Sequence, residues 1–125
     1  MTKSTEAALQ RAVVQYLDAL RRTGRIEYMA NYVNVPRGDE WAKKQGANNK
    51  RLGVRSGFPD LTLYIPGYGP MPHANCQTVY IELKSKTGTL SKKQKDWAAW
   101  LIDAGFVCEV CRSLDEVQAI LDEVL

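Results

Sequence analysis

Gly57-Phe58-Pro59-Asp60-Leu61-Thr62-Leu63-Tyr64-Ile65, followed after a break by Thr78-Val79-Tyr80-Ile81-Glu82-Leu83-Lys84, decides how this chain folds. Leu61–Ile65 and Thr78–Leu83 are rich in β-branched and aromatic residues, which fit a pleated, half-buried surface. Between them Pro66-Gly67-Tyr68-Gly69-Pro70-Met71-Pro72 breaks both regular periods and reads as a loop. Two neighbouring strands joined by a long hairpin loop are the simplest reading. Side chains alternate faces along a strand, so Glu82 and Lys84 point one way and Leu83 the other. Asp60 opens the first strand, where pairing brings it near Glu82. Two carboxylates forced together repel, and one tends to hold a proton. A divalent cation relieves that repulsion, and hard oxygen ligands suit Mg2+ or Mn2+. Lys84 beside such an ion can orient water or stabilise charge on a phosphate.

Working outward, Thr5 to Arg22 reads as a helix, with Ser4 or Thr5 as its cap. Leu9, Val13, Leu17 and Leu20 mark its buried face. Glu6 lies on that face one turn earlier, where an acid complements the helix dipole. Ile26 to Val35 is a strand candidate, stopped by Pro36. Pro36 to Ser56 is polar and basic, with a short helix around Glu40 to Lys44 anchored by Trp41. A loop of that length in a small domain is more often functional or disordered than idle. Ser91-x-x-Gln94 is a capping box opening a helix to Ala104. On that helix Gln94, Trp97, Leu101 and Ala104 share one face. Gln94 can bond back to the Ser91 backbone or point at the end of the Glu82–Lys84 strand. Gly105 ends the helix, Phe106 to Cys111 is a strand, and Ser113-x-x-Glu116 caps a last helix with Val117, Ile120, Leu121 and Val124 as its apolar face.

The 125 residues fit one domain spanning 1–125, and 45% hydrophobic content can fill a core. No apolar run reaches the ~20 residues of a membrane span. The first residues hold no signal-peptide core, and three cysteines argue against a disulfide framework, so a cytoplasmic setting is expected. Net charge is only +3, but it is unevenly placed. Six basic residues against two acids lie between Pro36 and Ser56, and five lysines with no acid lie between Lys84 and Lys95. Both segments flank the acidic motif, where a phosphate backbone would pass. Cys108-x-x-Cys111 with His73-x-x-Cys76 spells a zinc site on paper, but residues i and i+3 of a strand face opposite sides. His73 is the single histidine and has no catalytic partner in view.

Pro59-Asp60 with Glu82-Leu83-Lys84 resembles the motif of the PD-(D/E)xK nuclease superfamily. More narrowly, the chain resembles the VRR-NUC (virus-type replication-repair nuclease) family. The residues that carry this are Ser56-Gly57-Phe58-Pro59-Asp60-Leu61, Glu82-Leu83-Lys84-Ser85, Gly88-Thr89-Leu90-Ser91-Lys92-Lys93-Gln94, Trp97 and Gly105. The resemblance implies an α/β fold with a restriction-endonuclease-like core, a mixed sheet of about four strands flanked by helices in the order αβββαβα. It implies metal-dependent hydrolysis of DNA, with Asp60, Glu82, the Leu83 carbonyl and Glu6 around Mg2+ or Mn2+, and with Lys84 and Gln94 in the active site. Lys50, Arg51, Arg55, Lys86, Lys92 and Lys93 are the expected DNA contacts. Stand-alone relatives look like structure-specific endonucleases related to Holliday-junction resolvases, so branched or four-way DNA is the expected substrate and a homodimer the expected state. A restriction-type or nicking enzyme on duplex DNA and a non-catalytic DNA-binding subunit are the rival readings.

Overall fold

Burial of alternate strand residues builds one four-stranded sheet. The structure, a computed structural model, describes residues 3–31 and 40–125, with side chains from residues 6–31 and 44–125. The elements run α1 (Lys3–Arg22), β1 (Glu27–Ala30), α2 (Glu40–Arg51), β2 (Leu61–Ile65), β3 (Gln77–Leu83), α3 (Lys92–Asp103), β4 (Val107–Cys111) and α4 (Leu114–Val124). The strands lie in the order β1-β2-β3-β4. The first three are antiparallel neighbours, and β4 is parallel to β3. A parallel neighbour needs a crossover, and α3 supplies it.

Leu61, Leu63, Val79 and Ile81 are fully buried on one face of the sheet. They meet Val13 and Leu17 of α1 and Val117 and Leu121 of α4, all likewise buried. Leu9 and Leu20 pack at the rim, so the four-residue stripe read from the sequence is the face that docks. Tyr80 and Glu82 point to the opposite face, where α3 lies. There Phe58 bridges Tyr80 and Trp97 edge-to-face, at centroid distances of 5.4 and 4.8 Å.

Three local expectations change. α1 starts at Lys3, so Ser4 and Thr5 lie inside the helix instead of capping it. The strand expected over Ile26 to Val35 is ordered as Glu27–Ala30, and its continuation through Tyr32, Val33 and Pro36 lies outside the described residues. The short helix expected at Glu40 to Lys44 runs on to Arg51, while the Trp41 anchor falls outside the described side chains. Gly46, Asn48 and Asn49 are weak helix formers and hid it. In place of propensity, Gln45 Nε2 donates to Asn49 Oδ1 at 3.2 Å, and Lys50 and Arg51 complement the dipole in the last turn.

The β2–β3 connection is a built loop. It contains a short 3-10 turn at Pro72–Ala74. Asn75 clamps Tyr68 from both sides, accepting from its N–H at 2.7 Å and donating to its carbonyl at 3.1 Å. Gly67 is obligatory there, since a Cβ would lie 1.8 Å from the Pro72 carbonyl oxygen. The loop stands at the end of the hairpin remote from Glu82 and Lys84. It therefore fixes strand register without entering the site.

Candidate active site

Antiparallel pairing of Leu61 with Ile81 sets Asp60 opposite Glu82, one step beyond the ladder. Asp60 is pinned through its Oδ2, which accepts from the Leu83 N–H at 2.7 Å. Its own carbonyl accepts from Asn31 N at 2.8 Å. The Asn31 amide donates to the Pro59 carbonyl at 3.0 Å and to Thr62 Oγ1 at 2.6 Å. One asparagine at the end of β1 thus holds the whole Pro59–Thr62 segment in place. Nothing in its sequence neighbourhood announces that role, because its partners lie about 30 residues away.

Glu82 is 5% exposed. Burial pushes its carboxyl well above the usual range, to about 8. The Asp60 charge adds to that push, and so does a hydrogen bond with Asp60. Lys84 pulls the other way, and Glu6 adds a smaller repulsion. Glu82 therefore tends to hold a proton at neutral pH, and a further cation at the site would favour its ionised form. Lys84 Nζ lies 3.9 Å from Glu82 Oε2, and both side chains are nearly buried.

Gln94 resolves the choice between cap and site by doing both. Its Oε1 accepts from the Ser91 N–H at 2.9 Å, while the Ser91 hydroxyl accepts from Gln94 N at 3.2 Å. Its Nε2 donates to Glu82 Oε2 at 3.1 Å. The Ser91 N–H requires an oxygen opposite it, so the amide cannot flip and Nε2 must face Glu82. The capping box therefore aims a donor at the acid. The second expected box is half-built. Ser113 accepts from Glu116 N, but Glu116 Oε1 takes the Arg112 N–H at 2.6 Å.

Arg112 is a residue that sequence reasoning missed. Its Nη1 donates to the carbonyls of Ser85 and Gly88, each at 2.6 Å. Gly88 N donates to the buried Ser85 hydroxyl at 3.0 Å. The turn that follows Lys84 is thereby clamped from β4. The only available signal was an isolated arginine in an acidic C-terminal segment.

Among the described residues, no group of three or more His, Cys, Asp or Glu side chains is arranged to hold a metal. Asp60 and Glu82 converge, whereas Glu6 of α1 stands close enough only to act on Glu82 through its charge. β4 is regular through both of its cysteines, so they face opposite sides of the sheet. Cys111 lies in the core, and Cys108 lies on the Glu82 face. Burial first, then neighbouring acids, raise their thiols to about 12 and about 11. Such thiols stay protonated at neutral pH and are poor ligands.

The expected DNA contacts separate into two groups. Lys50, Arg55 and Lys93 line one cleft beside the site. Lys93 Nζ also donates to Ser56 Oγ at 3.1 Å. Arg51 and Lys86 are exposed outside that cleft. Lys92 is paired with Asp96 at 2.8 Å, one turn along α3.

The VRR-NUC domain family is matched over residues 4–115. A Fanconi-associated nuclease 1 homolog of Caenorhabditis elegans is 40% identical over 57 residues. That stretch is 46% of this chain and 6% of the nuclease, so the chain spans a small fraction of that relative's length. A solved VRR-NUC domain protein superimposes with a TM-score of 0.62 at 21% identity, covering all of this chain and 91% of the other. That likeness carries the mixed four-stranded fold.

Proposed function

The chain belongs to the VRR-NUC domain family, and on that premise we propose that it is a metal-dependent endonuclease that hydrolyses phosphodiester bonds in branched DNA. One observation supports the reading best. The buried Glu82 carboxyl meets a second carboxyl, an amide donor and an ammonium group at the end of one strand. A structural role would favour an apolar residue there, because burying two acids together is costly.

The donor set fits a hard divalent cation such as Mg2+ or Mn2+. Asp60 and Glu82 offer anionic oxygens and the Leu83 carbonyl lies between the motif residues, while Glu6 of α1 adds negative charge to the site from farther off. When bound, such an ion supplies positive charge that stabilises the attacking and leaving oxygens. The chain's own groups do the rest. Gln94 Nε2 holds Glu82 in one rotamer. Lys84 directs its ammonium protons at the attacking water and at the charge that builds on the phosphate. The first turn of α3 presents free N–H groups to the strand. Water then adds to phosphorus, one P–O ester bond breaks, and the proton that the water gives up ends on the leaving oxygen as a hydroxyl. Paired cuts across a four-way junction need two sites, so a homodimer belongs to the proposal.

The test is a panel of forked, flapped, four-way and linear duplex DNAs, each incubated with Mg2+, Mn2+ or EDTA, with light scattering of the free protein. Cleavage of branched substrates alone, dependent on the ion, is the expected result. Equal cleavage of linear duplex would favour a restriction-type enzyme, and no cleavage of any DNA would leave a binding subunit.

A further inference from the structure

Beside the acid pair, a cleft of about 680 Å³ opens between α2, the loop before β2 and α3. Lys93, Trp97 and Trp100 form its α3 wall at helical spacing. Lys50 of α2 and Arg55 of the loop before β2 also line it. Asp96 also borders the cleft, but its carboxylate is paired with Lys92. The lining charge is therefore positive.

The two tryptophans differ in what they leave free. Trp97 carries the Arg55 guanidinium 5.0 Å over its ring and the Phe58 ring at 4.8 Å. Trp100 touches Trp97 edge-to-face at 6.2 Å and is 60% exposed. An exposed indole at a cationic cleft offers a flat face to a ring that carries an anionic group. We propose that this cleft holds an unpaired nucleobase of the DNA strand, stacked on Trp100, with the adjoining phosphate against Lys50 and Arg55. Stacking on an aromatic face accepts any base but requires that the base has left its own stack.

The position makes this a determinant of substrate choice. Gln94 and Trp100 are six residues apart on α3, about 9 Å along the axis. Stacked strand rises about 3.4 Å per nucleotide, so this separation is on the order of a few nucleotides. A fully paired duplex offers no free base there, whereas a fork, a flap or a junction does. The cleft wall is also firmly placed: Gly57 has φ +84, and a Cβ on it would stand 2.7 Å from Lys93 Cβ.

The proposal rests on the nuclease reading for its ligand class, and its test is read without cleavage. In EDTA, the protein is titrated into a duplex carrying 2-aminopurine in a short unpaired bulge, and into the same sequence fully paired. The expected result is quenching of the bulged probe. Trp100→Ala removes the quench and weakens bulged DNA on the order of tenfold, leaving the paired duplex unchanged, and Trp100→Phe restores most of both. Equal loss on both DNAs, no loss on either, or a change from dimer to monomer in Trp100→Ala overturns the pocket. The last result would assign Trp100 to contact between copies. A protein that quenches the bulged probe but cleaves no DNA with Mg2+ or Mn2+ keeps the base pocket and loses the nuclease reading. One that cleaves without quenching does the reverse.

Discussion

At Glu82 burial and the Asp60 charge both favour a proton on the carboxyl group, against the opposing pull of Lys84. The folded pKa is about 8, above the ordinary 4.5 of the unfolded chain. Between these values the folded state binds the extra proton, so metal-free stability is complete below about 4.5 and is lost as pH rises through about 8. The melting temperature of the protein in EDTA should fall across that window, and the Glu82→Gln variant, which cannot titrate there, should lose the slope. A divalent ion favours the ionised acid and should offset the loss most at the upper end. An identical profile for the variant would mean that Glu82 is not the group that titrates. Lys84 belongs to the same scale but to the chemical step. Lys84→Ala should lower single-turnover cleavage about a hundredfold or more, with DNA affinity within a few-fold. Full activity in that variant would remove the ammonium from the mechanism. The spacing of these residues was legible beforehand, because strand alternation and antiparallel pairing suffice to put Asp60, Glu82 and Lys84 together.

Elements matter here through their ends. The loop before β2 docks on the first turn of α3 at Gly57, whose left-handed φ and contact with Lys93 exclude any side chain. Gly57→Ala should cost about 1–3 kcal/mol in denaturant unfolding and shift the Gln94 end of α3 away from Glu82. Activity should therefore fall by more than the unfolded fraction explains, and unchanged stability with unchanged activity would contradict the contact. Arg112 acts likewise on the turn after Lys84. Arg112→Ala leaves two carbonyls without their charged donor and should cost about 2–4 kcal/mol. These two devices divide what was readable from what was not. The Ser91–Gln94 box was legible because both partners lie within one turn. Gly57 was visible as part of a motif, but its partner Lys93 was not. Arg112 and Asn31 act on carbonyls 24 to 31 residues away or on neighbours of such carbonyls, and no local pattern encodes that. α2 was underestimated for the opposite reason, since its glycine and asparagines argue locally against a helix that nevertheless forms.

Across the whole molecule the sheet separates charge as well as layers. Lys50, Arg55 and Lys93 gather on the α3 side, beside the acid pair. α4, with Asp115, Glu116, Asp122 and Glu123, covers the other face against α1. A net charge of +3 therefore understates the field that an approaching polyanion meets. Each neutralised phosphate releases counterions, so the logarithm of affinity should fall with the logarithm of salt by about 0.9 per contact. Three cations on the cleft predict a slope near −2.7 from this patch alone. Replacing Lys50, Arg55 or Lys93 singly with Ala should reduce the steepness on branched DNA by about 0.9. Substituting Glu123, on the far helix, should leave the slope unchanged. A flat salt response, or one altered by Glu123 as much as by Lys93, would mean that the strand runs over a different face of the sheet.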